Sequence, residues 1–389
     1  MFIGANLQKV RVLYGYSRKE LGEALNVSEQ AVWQFENQMT TPSFETIVAL
    51  KRLFSVKTAY FYQEKKAMVV VKEENIAYRE ADIVSRKKTT AEAEYLNTIY
   101  PIISTIESYL DVPKGNIQQI RDTILSCYYS SEEITRVEVQ QMAEQAREML
   151  DISLDNSDLL YKIEKSGVHI VEKNIGGKAD AYSTWSEDRQ TAFIVLGKRK
   201  SAVRRNFDLA HELGHLLMHV DREFLSLDKN EYNKLEAEAN MFASFFLLPE
   251  KEFLQDFSKL NYISNPDSYV ELKMKYHVSI QALEMRAYKL GLLTPQQNTY
   301  FYRQIAKKNY RKKEPLDEEM ILKRPGKIRS IMQLVFSNHL LSLADFLEDL
   351  HVETDYVSKL FTIEKEFFSP FQNNESFSDY GKILPAQFK

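Results

Sequence analysis

The stretch "RNFDLAHELGHLLMHV" at 205–220 constrains this chain more than any other, because it sets His211 and His215 four residues apart with Glu212 beside the first. In a helix that spacing stacks two imidazoles one turn apart on one face, where both can reach a single divalent cation. A catalytic centre of this kind takes a third protein ligand and keeps a fourth position for water. A second element therefore has to return a donor to the same place. "KLEAEANMFASFFLLPE" offers Glu236 as that donor, with Asn240 one turn further on, placed to hydrogen-bond a ligating imidazole. Glu238 points to a different helical face and is the weaker candidate ligand. His219 continues the four-residue series, yet each step overshoots a full turn by about 40°. Its expected place is behind a ligand or at the helix C-terminus, where it complements the dipole. The other histidines, His169, His277, His339 and His351, have no partner at ligand spacing.

The surroundings of this stretch predict the fold. Only 12 Gly and 10 Pro in 389 residues, with abundant Leu, Glu, Lys and Gln, point to a mainly α chain. "VEVQQMAEQAREMLDI" places Val139, Met142, Ala146 and Met149 on one helical face. From 158 the pattern shortens into strand-like runs, "GVHIVEKNI", "DAYSTWS" and "TAFIVLG", separated by turn chemistry in "GGKAD" and "SEDRQ". The expectation is an α+β chain with a small β-sheet ahead of the histidine helix. Linear boundaries fall at 1–64, 65–155 (a helical connector), 156–295 (the metal domain) and 296–389 (a C-terminal helical region). Turns are expected around "NYISNPDS", "LGLLTPQQN" and "LKRPGK".

Composition narrows the function class. The longest apolar run, "MFASFFLL", is far below the roughly 18 residues of a membrane span, and the start has no signal-peptide pattern, so a cytoplasmic protein with no membrane partner is expected. The single cysteine, Cys127, rules out an intramolecular disulfide and a cysteine-cluster zinc site. It is expected to be a buried small apolar side chain. A net charge of −4 argues against a protein wholly devoted to coating nucleic acid. Local basic runs exist: "GKRKSAVRR", with Lys198, Arg199, Lys200, Arg204 and Arg205, lies just ahead of the histidine helix and could draw an acidic substrate, although such runs are usually solvated. The same bland reading applies to "KKNYRKK" and "KRPGKIR", and the aromatic tail "EKEFFSPFQNNESFSDYGKIL" is expected to pack or dock.

The N-terminal part has its own logic. Ser17 with Glu20 forms a capping box that starts a helix at Arg18 and runs it to about Leu25; Ser28 caps a second helix from Glu29 to about Asn37. Leu21, Ala24, Val32, Phe35 and Leu50 are the expected core. Glu29, Gln30, Trp33 and Gln34 then face outward near the start of the second helix, which is helix-turn-helix geometry. A glutamine amide can pair with the major-groove edge of adenine. Trp33 can equally serve a protein interface or pack on a neighbouring helix. Seven basic against five acidic residues over 1–62 make phosphate attraction modest, so a homodimer would help by doubling the contacts.

Two resemblances follow from these residues. "RRNFDLAHELGHLLMH" with "EAEANMFASFFLLPE", together with "DAYSTWS", "IVLG" and "HVSIQALEMRAYKLGLL", resembles the ImmA/IrrE metallopeptidases, a zincin-like family whose characterised members cut repressor proteins. The resemblance spans about 155–295. It implies His211, His215 and Glu236 as ligands of one catalytic Zn2+, with Mn2+ as an alternative, and Glu212 as general base. Residues 5–60 resemble the XRE (Cro/CI-type), lambda-repressor-like helix-turn-helix family. That implies double-stranded DNA as partner, with Gln30, Gln34 and Glu29 base-facing and Arg18 and Asn37 phosphate-facing. The residues and the resemblances lead to one expectation, a DNA-binding regulator with a zinc endopeptidase domain that cuts a repressor-type protein. The alternatives are a non-catalytic repressor whose metal domain senses or dimerises, and a peptidase whose helix-turn-helix docks on its substrate. A peptide substrate could add as a strand to an edge such as "TAFIVLG".

Overall fold

Serine caps and αL turns set the N-terminal elements. Ser17 Oγ accepts from the Glu20 amide at 3.1 Å while Glu20 Oε2 accepts from the Ser17 amide at 2.7 Å, which starts α2 (Arg18–Leu25) after α1 (Gly4–Leu13). Asn26, at φ 57°, ends α2 in the left-handed conformation that asparagine tolerates. Ser28 and Ser43 cap α3 (Glu29–Glu36) and α4 (Phe44–Phe54) by accepting from the Ala31 and Thr46 amides, without a reciprocal carboxylate. Leu21, Val32, Phe35 and Leu50 are buried as expected. Ala24 is exposed, because the buried face of α2 runs through Leu21 and Gly22 instead.

The structure, a computed structural model, describes residues 1–64, 69–78, 85–130, 134–173, 181–198, 200–372 and 384–385. The "GGKAD" turn, Arg199 and the distal part of the aromatic tail lie outside the described residues. After α4 the chain runs β1 (Ala77–Tyr78), α5 (Ser85–Glu107), β2 (Leu110–Asp111), α6 (Ile117–Tyr128), α7 (Arg136–Leu150) and α8 (Leu159–Lys165). It continues through β3 (His169–Lys173), β4 (Ala181–Trp185), β5 (Ala192–Gly197), α9 (Ala202–Met218) and α10 (Lys229–Leu247). Then come α11 (Glu250–Phe257), α12 (Val270–Tyr276), α13 (Ile280–Lys289), α14 (Pro295–Lys307), α15 (Lys327–Ser337), α16 (Leu343–Leu350), α17 (Thr354–Phe361) and β6 (Leu384–Pro385). The fold is α+β. No helix among the described residues is long and apolar enough to cross a membrane.

The chain divides into two compact units, one of 1–73, 82–113 and 326–389, the other of 74–81 and 114–325. This differs from the four linear segments read from the sequence: the 65–155 and 296–389 stretches each contribute to both units. In the first unit the C-terminal helices return to the N-terminal module. Val56 and Val352 form an antiparallel bridge, flanked by Lys57 N donating to His351 O at 2.8 Å and Glu353 N donating to Ser55 O at 2.9 Å. Tyr356 packs its ring near both Tyr14 and Tyr60. The α16–α17 pair repeats the α2–α3 pattern, two eight-residue helices joined through a left-handed residue, here His351 at φ 55°.

The second unit holds a four-stranded sheet in the order β1-β4-β5-β3, with β3 parallel and β4 antiparallel to β5. The edge expected at "TAFIVLG" is absent: β5 is internal, paired on both sides, and its residues Ala192 to Leu196 are buried. Cys127 is exposed rather than buried, since the buried stripe of α6 runs Ile117, Ile120, Ile124 and Tyr128 and its last step spans four residues. Arg205 is not solvated either. It is buried and donates to Glu172 at 2.5 Å and to Gly197 O at 2.9 Å, tying the start of α9 to the sheet.

One buried carboxyl makes the unit's stability pH-dependent. Glu284 is fully buried and accepts from Asn298 Nδ2 at 3.0 Å. Burial pushes its pKa up to about 7, against the opposing hydrogen bonds of Tyr302 and Asn298. The native state then holds a proton that the unfolded chain releases near the ordinary value of 4.5, so stability falls as pH rises from there through about 7. Thermal melts of wild type and Glu284→Gln across this range should diverge, the wild type losing more; parallel curves would remove Glu284 as the cause.

Candidate metal centre

Four features around α9 and α10 bring the predicted residues together. Asp228 begins α10 with a capping box to Glu231, and α9 comes directly after the sheet. Gly214, inside "HELGH", lets the two helices close: a Cβ there would lie 3.0–3.3 Å from three ring or side-chain atoms of Phe242. Trp185 Nε1 donates to Leu216 O at 2.8 Å and fixes α9 against β4. His211, His215 and Glu236 consequently place ligand atoms within 4.8 Å of one another, and they form the one such group among the described residues.

The distances are those of a closed donor set. His211 Nε2 and His215 Nε2 are 3.1 Å apart, and the Glu236 carboxylate lies 3.6 Å from the first and 3.3 Å from the second. The opposite ring nitrogens are engaged. His211 Nδ1 is 3.2 Å from Asn240 Oδ1, an acceptor, so Nδ1 carries the proton and Nε2 the lone pair. His215 Nδ1 meets His219 Nδ1 at 2.9 Å, and His219 Nε2 meets Glu238 Oε2 at 3.1 Å. Burial pushes His219 down to about 4, so it is neutral near pH 7. Burial alone would raise Glu238, but hydrogen bonds from His219 and Tyr128 outweigh it and hold the carboxylate below its ordinary value. A neutral His219 donating from Nε2 to an anionic Glu238 accepts at Nδ1, so His215 donates from Nδ1 and turns a lone pair toward His211. Two lone pairs at 3.1 Å beside a carboxylate repel unless a cation sits among them. That donor set, two imidazoles and a carboxylate, fits zinc.

Glu212 is buried beside this group, and Ser183 Oγ donates to its Oε2 at 2.7 Å. A cleft of about 150 Å³ with Ser183, His215, His219, Asn75 and Phe224 in its lining opens alongside. A second cavity, of about 430 Å³, borders Asn240, Phe207 and Lys289.

Residues 163–288 match the family model of the IrrE N-terminal-like domain, a peptidase family, and residues 7–61 match that of a helix-turn-helix. The chain joins a helix-turn-helix to an IrrE-like peptidase-family domain. No curated protein matches it. Among solved structures it is similar to Bacillus thuringiensis PlcR in complex with the peptide PapR7 and DNA, at 13% identity over 95% of this chain and 99% of that one, with a TM-score of 0.15.

In the IrrE-like domain two contributors escaped the sequence reading. Ser183 lies in "DAYSTWS", but its meeting with Glu212 depends on the packing of β4 on α9. Glu238, set aside as a ligand, stands at the end of the His215–His219 relay; a buried glutamate two residues from Glu236 was its only signal. In the helix-turn-helix, Glu29, Gln30 and Asn37 are exposed, Gln34 is half-buried and Trp33 is 39% exposed. Asn37 Nδ2 donates to Trp33 O at 2.8 Å. Arg18 donates from Nε to Glu36 at 2.6 Å.

Proposed function

We propose that this chain is a cytoplasmic DNA-binding regulator whose IrrE-like domain hydrolyses a peptide bond in a repressor-type protein, with residues 1–64 reading DNA and 156–295 carrying the chemistry. The convergence of His211, His215 and Glu236 next to a buried, oriented Glu212 carries this reading. Zinc held by those three residues would supply the Lewis acid that acidifies a water and polarises the scissile carbonyl. Glu212 takes the proton of the attacking water and delivers it to the leaving amine. Ser183, donating to Oε2, fixes the carboxylate in one orientation, and Asn240 and His219 hold both imidazoles in the tautomer that offers Nε2. A purely structural metal site has no use for a base at this position, which favours turnover over a sensing role.

Zinc stoichiometry tests the centre. Elemental analysis of the full-length chain should give one zinc per chain, and His211→Ala should lose it; retention by that variant would overturn the ligand assignment. For the DNA arm, Gln30 and Gln34 are assigned to base edges, and a homodimer is the form in which the small positive charge of the module suffices. Gln30→Ala in the full chain should weaken the specific band shift by about 1–3 kcal/mol while leaving nonspecific binding unchanged. An equal loss on all sequences would assign Gln30 to another task.

A further inference from the structure

The geometry points to the outer edge of β4 as the edge that receives an extended peptide substrate, and to residues 74–78 of the same chain as the segment that occupies it until the substrate displaces them. This rests on the peptidase reading above. In the sheet order β1-β4-β5-β3, β4 has one neighbour in the core of the sheet, β5; its other side is met by β1, two residues from a segment about a hundred positions earlier in the chain. The pairing is antiparallel, Ala77 with Ser183 and Tyr78 with Tyr182.

The place matters because of what Ser183 touches. Its hydroxyl donates to Glu212 Oε2 at 2.7 Å, so backbone paired opposite Ser183 runs about one strand spacing, some 4.8 Å, from the residue that orients the base. The segment is held from both sides. Thr184 Oγ1 donates to Asn75 O at 3.0 Å, and the Phe224 amide donates to Glu74 O at 2.9 Å. The Phe224 ring in turn packs edge-on against His215, 5.5 Å between centroids. Asn75 joins His215, His219 and Ser183 in lining the cleft. Extended main chain between β4 and the 220–224 turn, anchored through its carbonyls and sequence-tolerant backbone pairing, is how a peptide adds to a sheet edge.

Ile76, buried between these contacts, is the apolar anchor. A tethered occupant competes at an effective concentration on the order of millimolar, so a substrate binding the same edge has to displace it.

The test uses zinc-loaded full-length chain and two hydroxamates. Acetohydroxamic acid asks only for the metal; a peptidyl hydroxamate asks for the metal and an open strand edge. Ile76→Asp combined with Ala77→Pro puts a charge in the anchor and removes a backbone donor. By calorimetry this variant should bind the peptidyl hydroxamate at least about tenfold more tightly than wild type, with acetohydroxamic acid bound alike by both. Thr184→Val, which loses one holding hydrogen bond and leaves β4 intact, should shift the peptidyl compound in the same direction by a smaller factor. Unchanged peptidyl affinity in both variants would overturn the role of 74–78 while the peptidase reading stands. Failure of acetohydroxamic acid to bind any of the three chains would overturn the peptidase reading itself, and this inference with it.

Discussion

Glu212→Gln is expected to slow peptide-bond hydrolysis by about 10²–10⁴-fold while zinc content stays that of wild type. The glutamine keeps the size of the side chain and can still receive the Ser183 hydroxyl, which sits 2.7 Å from Oε2, so the buried pocket between β4 and α9 stays filled. What it loses is the capacity to take a proton. The rate at which new peptide N-termini form in a cell extract supplied with each zinc-loaded chain gives the measurement whatever the substrate is. Equal rates from both chains would show that hydrolysis is not the work of this site, and would return the non-catalytic reading to first place. A fall in zinc together with activity would instead mean that Glu212 shapes the centre rather than serving it.

Glu36→Ala should cost about 3–5 kcal/mol, because it breaks a buried ion pair from one side. Glu36 closes α3 with its side chain almost fully buried; it receives Arg11 Nε, Arg11 Nη2 at 3.3 Å and Arg18 Nε at 2.6 Å. Arg11 is itself buried, and among the described residues its one further hydrogen bond goes to Tyr16 O at 2.8 Å. Removing the carboxylate strands a guanidinium away from water. A urea titration followed through the first unit should show the midpoint drop, with Arg11→Met combined with Glu36→Leu recovering part of it. A change under about 1 kcal/mol for the single variant would mean that water reaches Arg11. The same pair explains why Arg18 is only partly available to phosphate: the residue read from sequence as phosphate-facing also braces the recognition helix.

The features legible in the sequence were local ones. Ser17 with Glu20 and Ser28 set the starts of α2 and α3 because a cap needs only residues within one turn. The His211–His215 spacing with Glu236 anticipated the convergence of these three donor side chains because helical periodicity is itself a spatial ruler. The parts that stayed hidden depend on distant packing. Nothing near Ala192 to Gly197 says that β4 will cover one side of β5, and nothing in Glu74 to Tyr78 says that a two-residue strand will close β4. Cys127 was misplaced by a single residue of helical phase, and Arg205 by a buried partner 33 positions away in Glu172.

The bridge between Val56 and Val352 has a consequence for synthesis. A helix-turn-helix at the start of a chain ordinarily finishes folding while the ribosome is still making the remainder, but here Tyr14 and Tyr60 await Tyr356. At about 5–20 residues per second the nascent module spends roughly a quarter of a minute to a minute without its cover. During that interval its aromatic surface is open to chaperones, to proteases and to neighbouring copies emerging from the same message, so the completion of this module waits on the synthesis of α17.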